Sequence, residues 1–299
     1  MTPLEVNSPA AITTEPLAAR QEITRNFMNE KIKSCFENYK ESIFRINHDL
    51  IFWNNYLESQ NKALIEDNIN NKESLSAAIF CAYDWSHDKI GGNLKCNEKV
   101  YNIKISDLET KRVEFFSWII NLSILKAYNS IEILILQGIQ LSYFPDSENP
   151  TYGKKQNKKI QGKIKSILIE NEIRFNEVNN DHIMKFLEFK SAKIKSFLNL
   201  NLNINIKTKW YEFFVLISLL RNIIAHNGMI ISLDTKNEIK SKANDIFSKH
   251  FELLPYEDNY ILSPKQAKFD EFINLINSFA VNILKFMLEK DDLEFIDLK

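Results

Sequence analysis

An arginine, an asparagine and a histidine come together at the end of one apolar run, Trp210-Tyr-Glu-Phe-Phe-Val-Leu-Ile-Ser-Leu-Leu-Arg221-Asn222-Ile-Ile-Ala-His226-Asn227-Gly228. An imidazole titrates near neutral pH and can give or take a proton. A guanidinium offers a planar fork of donors to negative charge, and a carboxamide can orient either group by hydrogen bonding. On a helix, Asn222 and His226 are four residues apart and share a face, whereas Arg221 is turned roughly 140° from His226 and must reach round with its long side chain. The same residues have a plainer reading: two cations meeting the negative end of a helix dipole, with Asn227-Gly228 as an ordinary cap. Residue types and spacing alone leave both open.

The elements that would position this group read as helices. Apolar residues recur at three-to-four spacing from Gln21 to about Asp67, through Phe27, Ile32, Cys35, Tyr39, Ile43, Ile46, Leu50 and Trp53, which predicts one long helix or two consecutive ones. A short helix is expected over Lys72 to His87, then an irregular stretch or strand pair to Ile105. A helix from about Asp107 to Tyr143 is apolar over most of its circumference and belongs deep in a core. The polar segment Ser147 to Gly162 reads as a mobile basic loop, and helices are expected over Lys163 to Ile173, Asp181 to Leu198 and Thr208 to His226. Two more, Asp234 to Phe251 and Pro264 to Lys290, have Asp234 and Ser263 as expected N-caps, with Pro264 in the first helical position. With 6 Gly and 7 Pro in 299 residues, turn chemistry is too sparse for a many-stranded sandwich or barrel.

The Arg221-Asn222-Ile-Ile-Ala-His226 pattern, at the end of a long apolar helix in an all-helical chain, resembles the signature of the HEPN superfamily. The resemblance spans about Asp107 to Lys290. It implies a HEPN-like helical bundle over 106–299, which the residues before it extend to an all-α fold with an additional N-terminal helical region over 21–105 and a disordered tail over 1–20. It further implies a metal-independent endoribonuclease, a toxin or antiviral defence effector, in which the 2′-hydroxyl of RNA is the nucleophile. Arg221, His226 and Asn222 would be catalytic, with His226 moving the proton, Arg221 stabilising charge on the phosphate and Asn222 orienting one or the other. The helix carrying Tyr128, Ser130 and Glu132 would face the motif, with Glu132 and Asn227 as auxiliary residues. Members of the family commonly meet across a two-fold axis at the motif, so a homodimer is implied, with an antitoxin or activating protein as a further candidate partner. The family also contains inactive scaffolds, so a non-catalytic dimeric helical interaction module is the alternative.

Composition narrows the remaining choices. Hydrophobic residues at 44% and charged residues at 26% describe an ordinary globular chain. A net charge of -1 means that any RNA-binding surface must be local, and Lys154, Lys155, Lys158 and Lys159 are the candidates, against the ordinary reading of a solvated charge run. Cys35, Cys81 and Cys96 are odd in number and lack CxxC spacing, which speaks against a disulfide framework or zinc ribbon and for a reducing cytoplasm. The opening MTPLEVNSPAAITTEPLAARQ lacks the basic start and apolar core of a secretory signal, and no membrane anchor is expected. His48, His87, His182 and His250 lack metal-ligand spacing, so no metal and no cofactor is expected. Trp53, Trp85, Trp118 and Trp210 are expected to fill the core or an interface. No Gly-rich phosphate loop, nucleophile elbow or paired-cysteine motif occurs, which disfavours NTPase, hydrolase and redox classes.

Overall fold

The protein is described by a computed structural model covering residues 17–67, 75–77, 80–83, 94–97, 101–144, 154–176 and 178–288. Within these residues the architecture is all-α, eight helices carrying short antiparallel strand pairs. The tail expected over 1–20 lies, for residues 1–16, outside the described residues, and the first helix, α1, runs Leu17–Asp67. The apolar stripe that suggested one or two helices makes one: Cys35, Tyr39, Ile43, Ile46 and Leu50, each three or four residues from the next, are all buried.

That stripe lies against α2, Leu108–Tyr143, the apolar rod at the centre of the bundle. The two helices run antiparallel, because Asn61 Nδ2 donates to the Leu108 carbonyl, Arg112 Nη1 to Asn54 Oδ1, and Ser42 meets Ser130. Helix α2 also packs against α3, Lys154–Glu170, α6, Trp210–His226, and α8, Phe269–Leu288. Packing on several sides accounts for apolar residues around much of its circumference, while Phe115, Trp118 and Leu122 towards its start stay partly exposed. Gly138 leaves room for the Met287 side chain of α8, whose Cε would lie 2.7 Å from a Cβ placed there. Between these run α4, Asp181–Lys190, α5, Ala192–Leu198, and α7, Leu233–His250. Two segments, Ile105–Tyr143 and Gln266–Leu288, are long and apolar enough to cross a membrane, and 56% of each apolar window is buried inside the protein, as for core helices.

The structure departs from the sequence expectations in several places. The helix expected over Lys72 to His87 is replaced by two strands, β1, Leu75–Ala77, and β2, Phe80–Tyr83. They pair with β4, Tyr101–Ile103, and β3, Leu94–Asn97, placing Cys81 in register with Cys96. The expected basic loop is helical from Lys154, as the first turns of α3. The helix expected over Asp181 to Leu198 breaks at Ser191, whose extended backbone lets its hydroxyl accept from the Ile194 amide and cap α5. A short hairpin, β5 (Asn201–Asn203) and β6 (Ile206–Lys209), leads into α6, and Ser232 rather than Asp234 caps α7. Pro264 does not open a helix: it closes β9, Asn259–Pro264, which pairs with β8, Phe251–Tyr256, and with β7, Ile230–Ile231.

Candidate active site

Helix α6 forms where expected, and its apolar face has a single use. Phe213, Phe214, Ile217 and Leu220 are fully buried, with Phe214 stacked on Phe279 of α8 and tilted against Tyr128 of α2. The apolar face from Trp210 to Leu220 is thus taken up by the chain's own core. The stop signal works as read. The Asn227 amide donates to the Ile223 carbonyl as the C-cap, and Gly228 takes the left-handed conformation, φ 58°, that ends the helix.

Arg221 is half-buried one turn before that end. Its Nη1 donates to Asn222 Oδ1 at 2.8 Å, and Asn222 Nδ2 donates to Asn179 Oδ1 at 3.1 Å. Arg221 Nε is buried without a partner. The neighbouring asparagine, Asn180, donates through Nδ2 to Glu132 Oε1 at 2.7 Å and to the Tyr128 hydroxyl, which itself donates to Ser218 at 3.1 Å. The structure thus sets two hydrogen-bonded groups side by side in the bundle, Arg221 and Asn222 of α6 with Asn179, and Glu132 and Tyr128 of α2 and Ser218 of α6 with Asn180. His226 and Asn227 are exposed at the end of α6, and no hydrogen bond to the His226 imidazole is described. Lys158 and Lys159 are exposed on α3, and among the described residues no hydrogen bond or ion pair joins them to the Arg221 network. Of Lys154 and Lys155 only the helical placement is described.

Asn179 and Asn180 are the residues that sequence reasoning missed. Both adopt the left-handed conformation, with φ of 59° and 55°. Side chains other than glycine enter that region at a cost, asparagine less than most. Two in succession turn the chain sharply ahead of α4 and send one carboxamide to Asn222 and the other to α2. Asp181 fixes the turn from below: it accepts from the Asn176 amide at 2.7 Å and from the Tyr211 hydroxyl of α6. Strain held by surrounding contacts and placed beside candidate functional groups is a common feature of active sites. Asn-Asn preceding a helix-opening Asp was the available signal, weak because the same dipeptide suits any turn. Asn180→Ala should destabilise the fold by about 1 kcal/mol of left-handed strain and roughly 1–3 kcal/mol for buried partners left unpaired. Asn180→Gly, which loses the same carboxamide but holds a positive φ without strain, should lose less, and equal losses in chemical denaturation would refute the strain.

Burial holds the Glu132 carboxyl above its ordinary pKa, partly offset by the Asn180 hydrogen bond and the Arg221 charge. The Tyr128 phenol is pushed up by burial and by the Glu132 charge. A carboxyl whose folded pKa is raised binds its proton more tightly in the folded state. Its stabilising contribution is therefore complete below the ordinary value of 4.5 and is lost as pH rises through the higher folded value. Glu132→Gln, which keeps an oxygen for Asn180, should match or exceed the wild-type melting temperature at pH 7.5, with the gap closing towards pH 4.5. A variant less stable at pH 7.5 by an amount that ignores pH would show that attraction to Arg221 outweighs burial.

Among the described residues no group of three His, Cys, Asp or Glu side chains is placed to hold a metal ion. His250 is buried, with Nδ1 against the Ile246 carbonyl at 2.9 Å and its ring tilted on Phe272, and reads as a core residue. In comparisons with known proteins, the chain matches no family model, no curated protein and no solved structure.

Proposed function

We propose that the end of α6 is the active site of a metal-independent endoribonuclease of the HEPN type, a toxin or antiviral effector. The observation that carries this reading is the restraint on Arg221. Its guanidinium is fixed by Asn222, which is fixed in turn by the strained Asn179, while His226 stands open at the same helix end. A cation held in one orientation can meet developing negative charge without reorganising, which is where electrostatic catalysis gains most. An accessible imidazole can move a proton to or from a bound polymer.

In this reading the 2′-oxygen of one nucleotide forms a bond to the adjacent phosphorus and the bond from phosphorus to the 5′-oxygen breaks. Two proton movements accompany the exchange, one off the 2′-hydroxyl and one onto the departing 5′-oxygen, and His226 serves one of them. Arg221 neutralises charge on the non-bridging oxygens. Products carry a 2′,3′-cyclic phosphate and a 5′-hydroxyl. The test is a defined RNA strand and the same strand with one 2′-deoxy position, incubated with purified protein and resolved by mass. Cleavage should leave the cyclic end and skip the deoxy position, and a 3′-hydroxyl end or cleavage at the deoxy position would refute the reading. The assignment to a toxin or defence role rests on resemblance alone.

One observation favours a second reading, a non-catalytic dimeric helical module: no described hydrogen bond orients the His226 imidazole, whereas a general base is usually oriented by a neighbour. Absence of any cleavage by folded protein across varied RNAs would favour it.

A further inference from the structure

We infer that a second copy of this chain docks on the α1–α2 arm, making a homodimer whose contact lies away from Arg221. Alongside the buried stripe of α1, the antiparallel pair opens a groove of about 340 Å³ whose walls include Trp53, Phe115, Trp118 and Leu122. Phe52 and Tyr56 extend the same surface, stacked on each other and each edge-on to Trp53, and Phe115 lies against Trp118. These six side chains are between 38% and 54% exposed. At about 200 Å² for a large side chain, they leave on the order of 500 Å² of apolar surface open on each copy. Interface cores are about 65% apolar, so this patch corresponds to roughly 800 Å² per partner, the size a stable, specific interface needs.

Charge favours an identical partner over the other occupants. Asp49 and Lys126, on opposite walls of the groove, already pair at 3.8 Å, so an approaching copy of the same face brings no unpaired charge. The flanks mix Glu58, Glu66, Glu109 and Glu114 with Lys62, Lys111 and Arg112, and give no excess of positive charge to draw the arm to an anionic membrane. Two such helix pairs set face to face make a four-helix arrangement, in which a shallow apolar groove on each pair accepts the ridge of the other. The groove residue Trp118 lies fourteen residues before Glu132 on α2, roughly 20 Å along the helix, so docking here leaves each Arg221 network open.

The contact does not depend on the nuclease reading, because its test reads mass. Light scattering of the full chain at about 20 µM should give twice 35.0 kDa. The exposed-site double variant Phe52→Glu/Trp118→Glu should raise the dimer dissociation constant at least 30-fold with unchanged circular dichroism, as expected for removal of central aromatic anchors. Trp118→Phe should preserve the dimer. Hydrogen exchange in residues 44–56 and 113–122 of the wild type should slow as concentration rises through the dimer midpoint, which reads the contact without substitution. A monomer at 20 µM, a dimer that ignores the double variant and leaves exchange on the arm unchanged, or flotation of the wild type with phosphatidylcholine–phosphatidylserine vesicles through the same residues, would each overturn the inference.

Discussion

His226→Ala should lower the rate of RNA cleavage by about 10²–10⁴, the usual worth of a positioned proton-transfer group, and should hardly move the melting temperature. The side chain is exposed in the last turn of α6, where a cation meeting the helix dipole contributes about 0.3–1 kcal/mol. The parallel change at Arg221 needs more care, because its guanidinium lies beside the buried Glu132 and removing the charge would push that carboxyl further up. Arg221→Lys separates the two effects. It keeps the positive charge but loses the planar fork that Asn222 orients, so stability should stay near wild type while cleavage falls by about 10²–10³, as when a positioned donor to developing charge is removed. A large fall in melting temperature with proportionate loss of cleavage in both variants would support the plainer reading of a helix-terminal cation pair.

The largest stability effect is expected in the core beneath the site. Phe279 of α8 is fully buried and packs against Phe214 and Trp210 of α6 and Phe197 of α5, so one ring joins three helices. Truncation to alanine removes the transfer free energy of the ring and leaves a cavity that neighbouring aromatics, fixed by their own partners, can only partly fill. Phe279→Ala should cost about 3–5 kcal/mol in urea denaturation. Because Phe214 also touches Tyr128, the same variant should loosen the hydrogen bond from Tyr128 to Ser218 and reduce cleavage by more than its unfolded fraction alone explains. A loss below 1 kcal/mol would mean that α8 is not packed on α6 as described.

The helical class and the motif helix were legible because they rest on periodicity. Trp210 to Leu220 is apolar enough to be a helix in any context, and Asn227-Gly228 carries its own stop signal in glycine's tolerance of positive φ. What periodicity could not separate were short apolar runs. Leu75, Ile79, Ala82 and Tyr83 fit a helical face, yet the chain makes two brief strands there, since a run from Leu75 to Tyr83 in which only Ser76 is polar satisfies both spacings. The β8–β9 hairpin was hidden for a related reason: its turn is Glu257-Asp258, with Glu257 at φ 50°, instead of the Asn-Gly or Asp-Gly that announces a hairpin. Pro264 looked like a helix opener because proline suits that position, but it also suits the end of β9, beyond Tyr260 and Ile261 where β7 pairs with that strand.

For the site, the motif fixed three of the residues and spatial packing supplied the rest. Glu132 was expected opposite the motif by resemblance, and in the structure its carboxylate accepts from Asn180, with no described hydrogen bond to Arg221. Asn179 and Asn180 stand more than forty residues from their partners on α2 and α6, and nothing local marks them except asparagine's tolerance of the left-handed region. Rings of α2 and α8 cover the apolar face of α6, which a sequence alone does not show. The surface actually left open, Trp53 and Trp118 with their neighbours, was read as core or interface, and the structure leaves it half exposed on the α1–α2 arm.

The most direct test of the central claim incubates purified wild type and His226→Ala with total RNA in EDTA, after both have been shown to melt at similar temperatures. The account predicts that wild type cleaves under chelation and that His226→Ala is slower by at least about 10². Cleavage that appears only when Mg²⁺ is added, or that proceeds at the wild-type rate in His226→Ala, would contradict it.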